Sequence, residues 1–333
     1  MRTVIAGLGS IGRRHLRNLQ SIGETEIVLL RSGRSTLPEA ELAGVPAVDS
    51  LAAALDLGPQ AMIVANPTSH HLEVAIPAAE AGCHLLLEKP VSHSMQGVAA
   101  LAEGAANSGA RILLGFQYRF HPCLLRLRSL LSEGALGEPV HAGAHWGEYL
   151  PAWHPWEDYR TSYSARADLG GGVVLTLSHP LDYLIWLFGR PTEVVGRTAQ
   201  LPHLELQDVE GMADILLRFP SNLLASVHLD YAQRPAAHRL EIVGTEGSAN
   251  CDFAAGHLRW WTNSSGTWQE YRVLPSFDRN DLFLDEIRHF RELVEQGVKP
   301  VCSLDEGVAS LEIALRALES GKQAAWDGQV AGG

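Results

Sequence analysis

The sequence predicts an α/β chain in two parts: a doubly wound parallel sheet over residues 1–120, then an α+β unit over residues 121–333 built on a large, mostly antiparallel open sheet. Three observations predict it. Short apolar runs at 3–6, 26–30, 61–65, 84–87 and 111–115 alternate with helical spacing of Leu, Val and Ala at 11–22, 51–57, 70–81 and 95–107, as parallel strands with crossover helices do. Beyond Pro122 a helix at 124–132 gives way to strand-like runs at 139–148, 193–198, 213–219, 223–231, 239–243 and 258–262, with hairpin turns expected at Glu246-Gly247 and Ser265-Gly266. Helical spacing at 281–295 and 304–320 then supplies two helices able to pack back on the first part.

Composition narrows the function. Hydrophobic residues make up 46% and charged residues 19%, enough apolar surface for a folded core and too much for a disordered chain. The formal net charge of −12 has the wrong sign for a nucleic-acid or anionic-membrane surface, so neither partner is expected. No apolar run approaches the ~20 residues of a membrane span. The N-terminus enters a strand at once, leaving no room for a signal peptide. Cys83, Cys123, Cys251 and Cys302 are far apart and form neither a C-x-x-C pair nor a Cys/His cluster at zinc spacing. We therefore expect reduced thiols, a cytoplasmic protein and no metal.

Gly7-Leu8-Gly9-Ser10-Ile11-Gly12 is G-x-G-x-x-G between a predicted strand and a predicted helix. Bare backbone there approaches a pyrophosphate at the positive end of the helix, which makes the first part a Rossmann domain for NAD(P). The next strand runs into Arg31-Ser32-Gly33-Arg34 where a ribose 2′-hydroxyl would be gripped by Asp or Glu. Cations suit a 2′-phosphate, so NADP is favoured over NAD.

His84-Leu85-Leu86-Leu87-Glu88-Lys89-Pro90 resembles the E-K-P motif of the Gfo/Idh/MocA oxidoreductases. Asn66-Pro67-Thr68-Ser69-His70-His71 is similar to that family's T-P-x-x-x-H turn, with Asn for Thr, and Gly115-Phe116-Gln117-Tyr118-Arg119-Phe120-His121-Pro122 to its strand-to-linker segment. Gly170-Gly171-Gly172 followed by His179 and Asp182 resembles its substrate-domain helix. The resemblance spans nearly the whole chain. It implies cofactor contacts from Asn66, Pro67, His71, Glu88, Lys89 and Gln117, substrate contacts from Lys89, Tyr118 and His179, a sugar-like substrate, and a homo-oligomer, dimer or tetramer, joined through the open sheet.

The chemistry of these residues agrees. Lys89 leaves the carboxyl end of a central strand, where open α/β sheets bind ligands, and Pro90 turns the chain into the crevice. Its ammonium can steady the changing charge on a substrate oxygen, with a pKa lowered by burial. His179 is a base near neutrality, and in one continuous helix Thr176, His179, Asp182 and Tyr183 share a face. Many members of the family carry Asp one turn before this histidine; Thr176 or Leu175 stands there in this chain, so Thr176 and Asp182 are candidates for the missing partner. Pro180 calls for a kink, or for a helix beginning near His179.

Trp153-His154-Pro155-Trp156-Glu157-Asp158-Tyr159-Arg160-Thr161-Ser162-Tyr163 is rich in aromatics for a chain that is 7% aromatic. Sugar faces stack on such rings, so Trp153, His154, Trp156 and Arg160 are candidate substrate contacts, joined by Tyr231 and Arg234 at a later strand end. The reading is an NAD(P)-dependent oxidoreductase moving a hydride at a hydroxyl or carbonyl of a sugar or sugar-derived substrate, neutral or acidic. Two other uses of this frame stay open on sequence: transient use of a retained cofactor in elimination or glycoside cleavage, and non-catalytic dinucleotide sensing.

Overall fold

The computed structural model describes residues 1–31, 33 and 39–323. Its first sheet has six strands, β1 (Thr3–Ala6), β2 (Ile27–Leu30), β3 (Ala47–Val48), β4 (Ala61–Val64), β5 (His84–Leu87) and β6 (Ile112–Leu114), all parallel, in the order β3-β2-β1-β4-β5-β6. Helices α1 (Ser10–Ser21), α2 (Leu51–Asp56), α3 (His71–Glu80) and α4 (Val98–Ser108) make the crossovers. Strands β1 and β4 are buried along their whole length, which is why they read as unbroken apolar runs. Strand order reverses between β1 and β4, so the loops leaving their carboxyl ends open a ligand crevice.

After α5 (Pro122–Ser132) comes the long β7 (Pro139–Gly147), then α6 (Val173–Thr176), α7 (His179–Phe188) and the strands β8 (Glu193–Ala199), β9 (Met212–Arg218), β10 (Leu224–Asp230), β11 (Ala237–Gly244), β12 (Gly247–Asp252), β13 (His257–Thr262) and β14 (Trp268–Arg272). The second sheet runs β14-β13-β12-β11-β7-β10-β9-β8 and is antiparallel except where β10 lies parallel to β7. Residues alternate along its strands: Ala213, Ile215 and Leu217 of β9 are buried, whereas Leu216 is 61% exposed on the open face.

The chain ends in α8 (Arg279–Gln296) and α9 (Leu304–Gln323). Ile287, Phe290 and Leu293 of α8 share a core with Ile5, Leu16, Leu29 and Ile63, so this late helix covers the first sheet. Helix α9 packs along β8 and α7. The four cysteines are free and buried. Among the described residues no single helix is long and apolar enough to cross a membrane.

Of the two arrangements that Pro180 allows, a kink or a helix beginning near His179, the chain adopts a new helix at His179. Segments 167–176 and 179–188 meet at 51°, and α7 starts at His179 with Pro180 in its first turn, where a missing N–H costs nothing.

Candidate active site

The glycine motif fits a dinucleotide through its backbone. A Cβ on Gly7 would lie 2.5 Å from the backbone of Ala65 and Asn66, and one on Gly12 would overlap the Gly7 carbonyl oxygen, so both glycines are required by close packing. Above Gly9 there is open space, and the N–H groups of Ser10 and Ile11 begin α1 beside it. That arrangement suits a pyrophosphate at a helix N-terminus. Arg31 lies at the end of β2 in a hollow shared with Val48, Asp49 and Ala53. Ser32 and Arg34 lie outside the described residues.

Lys89 stands two residues past the end of β5, and its Nζ donates to the Thr176 carbonyl at 2.6 Å, spanning from one sheet's loops to the helices of the other. Desolvation brings its pKa down to about 8, against the opposing pull of Glu88. His71, expected at the cofactor, sits beneath this turn instead: its ring nitrogens lie 2.8 Å from the Pro90 carbonyl and 3.0 Å from the Asn66 carbonyl, joining the two strand-end loops. Glu88 is likewise turned inward, its Oε1 2.8 Å from His15 Nε2. Burial favours its protonated form, but the hydrogen bond and charge of His15 outweigh that and hold the carboxyl below its usual range. Glu286 of α8 completes a buried group with these two; burial and the Glu88 charge push its carboxyl well above the usual range. Asn66 leaves a buried Oδ1 without a partner at the crevice, and Gln117 is buried at the turn after β6.

His179 is 1% exposed and is held by rings: Tyr118 at 4.9 Å, Trp146 at 5.3 Å and Phe116 at 5.5 Å between centroids. Burial, then the Lys89, His238 and Arg279 charges, hold it well below the usual histidine range. Its place in the first turn of α7 adds the positive end of the helix, which disfavours the charged ring further. Tyr118 lies at the centre of the cluster, 4.5 Å from His238, which stacks on Trp146 at 4.3 Å.

Several expectations are corrected. Asp182 does not face His179: Arg119 donates to both its oxygens, Nε to Oδ2 at 3.0 Å and Nη2 to Oδ1 at 2.7 Å, and the pair is sealed. Thr176 serves through its backbone carbonyl, while its hydroxyl lies beside the Tyr163 and Tyr231 phenols. Tyr231 is wholly buried, with its hydroxyl 3.3 Å from the Ser164 carbonyl, out of a substrate's reach. Arg160 is on the surface, gripped by Asp158 and Glu205. Arg234 stacks on Tyr149 at 3.8 Å. Trp153 packs edge-on against Tyr231, and Trp156 is 66% exposed. His154 reaches the glycine turn, with Nε2 3.3 Å from Ser10 Oγ, which puts it at the cofactor end of the crevice. Sequence reasoning missed Trp146, His238 and Arg279, whose positions depend on pairings remote in the chain.

A parallel sheet with a glycine turn for a pyrophosphate, and a buried lysine and histidine across from it, define the class: an NAD-binding oxidoreductase. Residues 1–116 match the model of an oxidoreductase family with an NAD-binding Rossmann fold, and residues 124–250 that of the GFO/IDH/MocA C-terminal domain. The chain belongs to the Gfo/Idh/MocA family. It is similar to the NAD(+)-dependent scyllo-inositol 2-dehydrogenase of Bacillus subtilis, 27% identical over 96% of this chain and 94% of the relative. The fold is shared with an oxidoreductase domain protein from Kribbella flavida, at a TM-score of 0.85 and 22% identity over 97% of each chain. It is also shared with a Bordetella pertussis dehydrogenase in complex with NADH and UDP-GlcNAcA, at 0.81 and 20% over 98% of this chain and 97% of that one.

Proposed function

We propose that the protein catalyses reversible hydride transfer at a hydroxyl or carbonyl carbon of a sugar or sugar-derived substrate, with Lys89 holding the reacting oxygen and His179 exchanging its proton. One observation carries this reading: Lys89 Nζ reaches across the crevice to the Thr176 carbonyl, three residues before His179, so an ammonium and an imidazole whose charged form is disfavoured stand together in a desolvated site. The nicotinamide cofactor, when bound, accepts or returns the hydride. In the oxidative direction the imidazole takes the hydroxyl proton while the ammonium stabilises negative charge growing on the oxygen; in reduction the proton returns. The ring cage around His179 excludes water from the transfer.

An acidic sugar is the favoured substrate class. Arg279 at the start of α8 is exposed, and its charge is felt by Lys89, Tyr118 and His179, which suits a carboxylate or phosphate at the crevice mouth. The Bordetella protein's complex with UDP-GlcNAcA supports the same class. For the cofactor, Arg31 supports NADP(H), while Asp49 in the same hollow favours a free ribose hydroxyl. The exposed Leu216 and Trp268 support a homo-oligomer through the second sheet. The test is a panel of acidic and neutral sugars, free and nucleotide-linked, each with NAD(H) and NADP(H), followed at the nicotinamide absorbance. Turnover of an acidic sugar supports the reading; turnover of neutral sugars alone removes the acidic class, and none with any sugar counts against hydride transfer.

A further inference from the structure

We propose that His145, His228 and Asp230 form a binding site for a divalent transition metal of the Zn²⁺ type on the open face of the second sheet. Strands β7 and β10 are parallel neighbours with His145 directly opposite His228, and Asp230, two residues on, points to the same face. One ligand atom from each of the three residues lies within 4.8 Å of the others. His228 Nε2 is 3.4 Å from Asp230 Oδ2, close to the edge of about 3.3 Å that follows from tetrahedral zinc with bonds near 2.0–2.1 Å.

The surroundings also suit a metal. His228 Nδ1 lies 2.7 Å from Asp214 Oδ1, the carboxylate partner that fixes a ligating histidine's tautomer and turns Nε2 to the ion. His145 Nε2 is buried with no hydrogen-bond partner. Asp230 is oriented too: its Oδ1 accepts from the Ala232 and Gln233 N–H groups at 2.7 and 2.6 Å, leaving Oδ2 for the ion. Glycine is needed opposite, because a Cβ on Gly147 would overlap that Oδ2. Two imidazoles and one carboxylate select zinc, copper or nickel over magnesium or calcium. His145, His228 and Asp214 border a groove of about 760 Å³ on this face. The sequence showed no such spacing because His145 and His228 meet only through the strand pairing. A bound ion would tie β7 to β10 behind Trp146, whose ring packs on His179 from the other face.

The test is equilibrium dialysis of the chelator-treated, full-length protein against Zn²⁺, with thermal melts in parallel. The wild type is expected to bind one ion per chain at micromolar or lower Zn²⁺ and to melt higher with it. His145→Ala and His228→Ala should each weaken binding at least tenfold and lose the thermal shift, and Asp214→Asn should weaken binding by about 10-fold to 100-fold. Co²⁺ should give the strong visible absorption of a tetrahedral site in the wild type alone. Circular dichroism checks that the variants fold; should one fail, His145→Gln replaces it. Binding weaker than millimolar, or equal stoichiometry and affinity in wild type and both histidine variants, would overturn the proposal.

Discussion

Arg119 holds Asp182 by two hydrogen bonds and reaches Glu306 Oε1 at 2.6 Å and the Val301 carbonyl at 2.7 Å with its remaining nitrogen. One guanidinium thus ties the linker after β6 to α7 and to the start of α9. Removing one partner of a buried ion pair strands the other, at a cost of about 3–5 kcal/mol. Asp182→Asn should lower the urea midpoint accordingly and leave kcat of the folded protein within a few-fold. A 100-fold loss of kcat with unchanged stability would restore Asp182 to the proton relay.

The pH dependence of turnover follows from Lys89. It must carry its proton to hold the reacting oxygen, and it loses that proton as pH rises through about 8. Burial and the Lys89 charge hold His179 well below the usual histidine range, so any acid limb from it lies below that range. kcat/KM for oxidation should be level from pH 6.5 toward 8 and fall above it. Lys89→Arg, whose guanidinium stays charged, should be slower and lack the alkaline limb. An unchanged limb in that variant would assign it to another group.

His238 makes the fold sensitive to acid. It lies between Trp146 and Phe253 with neither ring nitrogen hydrogen-bonded, and burial, then nearby positive charge, hold its pKa well below the usual value. Below pH 6.5 the unfolded chain therefore binds a proton that the native one refuses, and stability falls with pH by up to ~1.4 kcal/mol per unit for this group. His238→Phe should show a smaller drop in Tm between pH 6.5 and 5 than the wild type. Equal drops would mean that His238 titrates normally in the fold.

His154 tests which ligand the aromatic loop serves. Its approach to Ser10 predicts that His154→Ala raises the dissociation constant for the dinucleotide several-fold, read by fluorescence titration, with sugar KM unchanged. The opposite split would return His154 to the substrate side.

The parallel sheet was legible because its strands are buried on both faces and so are written as apolar runs such as Ala61–Val64. Strands β12 and β14 were not: Gly-Ser-Ala-Asn-Cys-Asp and Trp-Gln-Glu-Tyr-Arg have little strand character alone and are held by the ladders of β11 and β13. Lys89 and His179 could be singled out because the segments that carry them, Glu88-Lys89-Pro90 and the glycine run before His179, resemble motifs of the family and are contiguous in sequence. The fate of Asp182 could not, since its partner lies 63 residues away. Nor could the aromatic loop's direction, because only the packing of Trp153 on Tyr231 and the reach of His154 to Ser10 set it.

The central claim is that Lys89 and His179 act together on one substrate oxygen, and single-turnover kinetics of Lys89→Met and His179→Ala test it most directly. Both variants should fold and bind the dinucleotide as the wild type does, with the hydride-transfer rate cut by roughly 100-fold or more, the scale for losing acid–base or charge stabilisation. Combining the two should cost less than the product of the single losses, because they serve the same step. Wild-type rates in either folded, cofactor-bound variant would contradict the account.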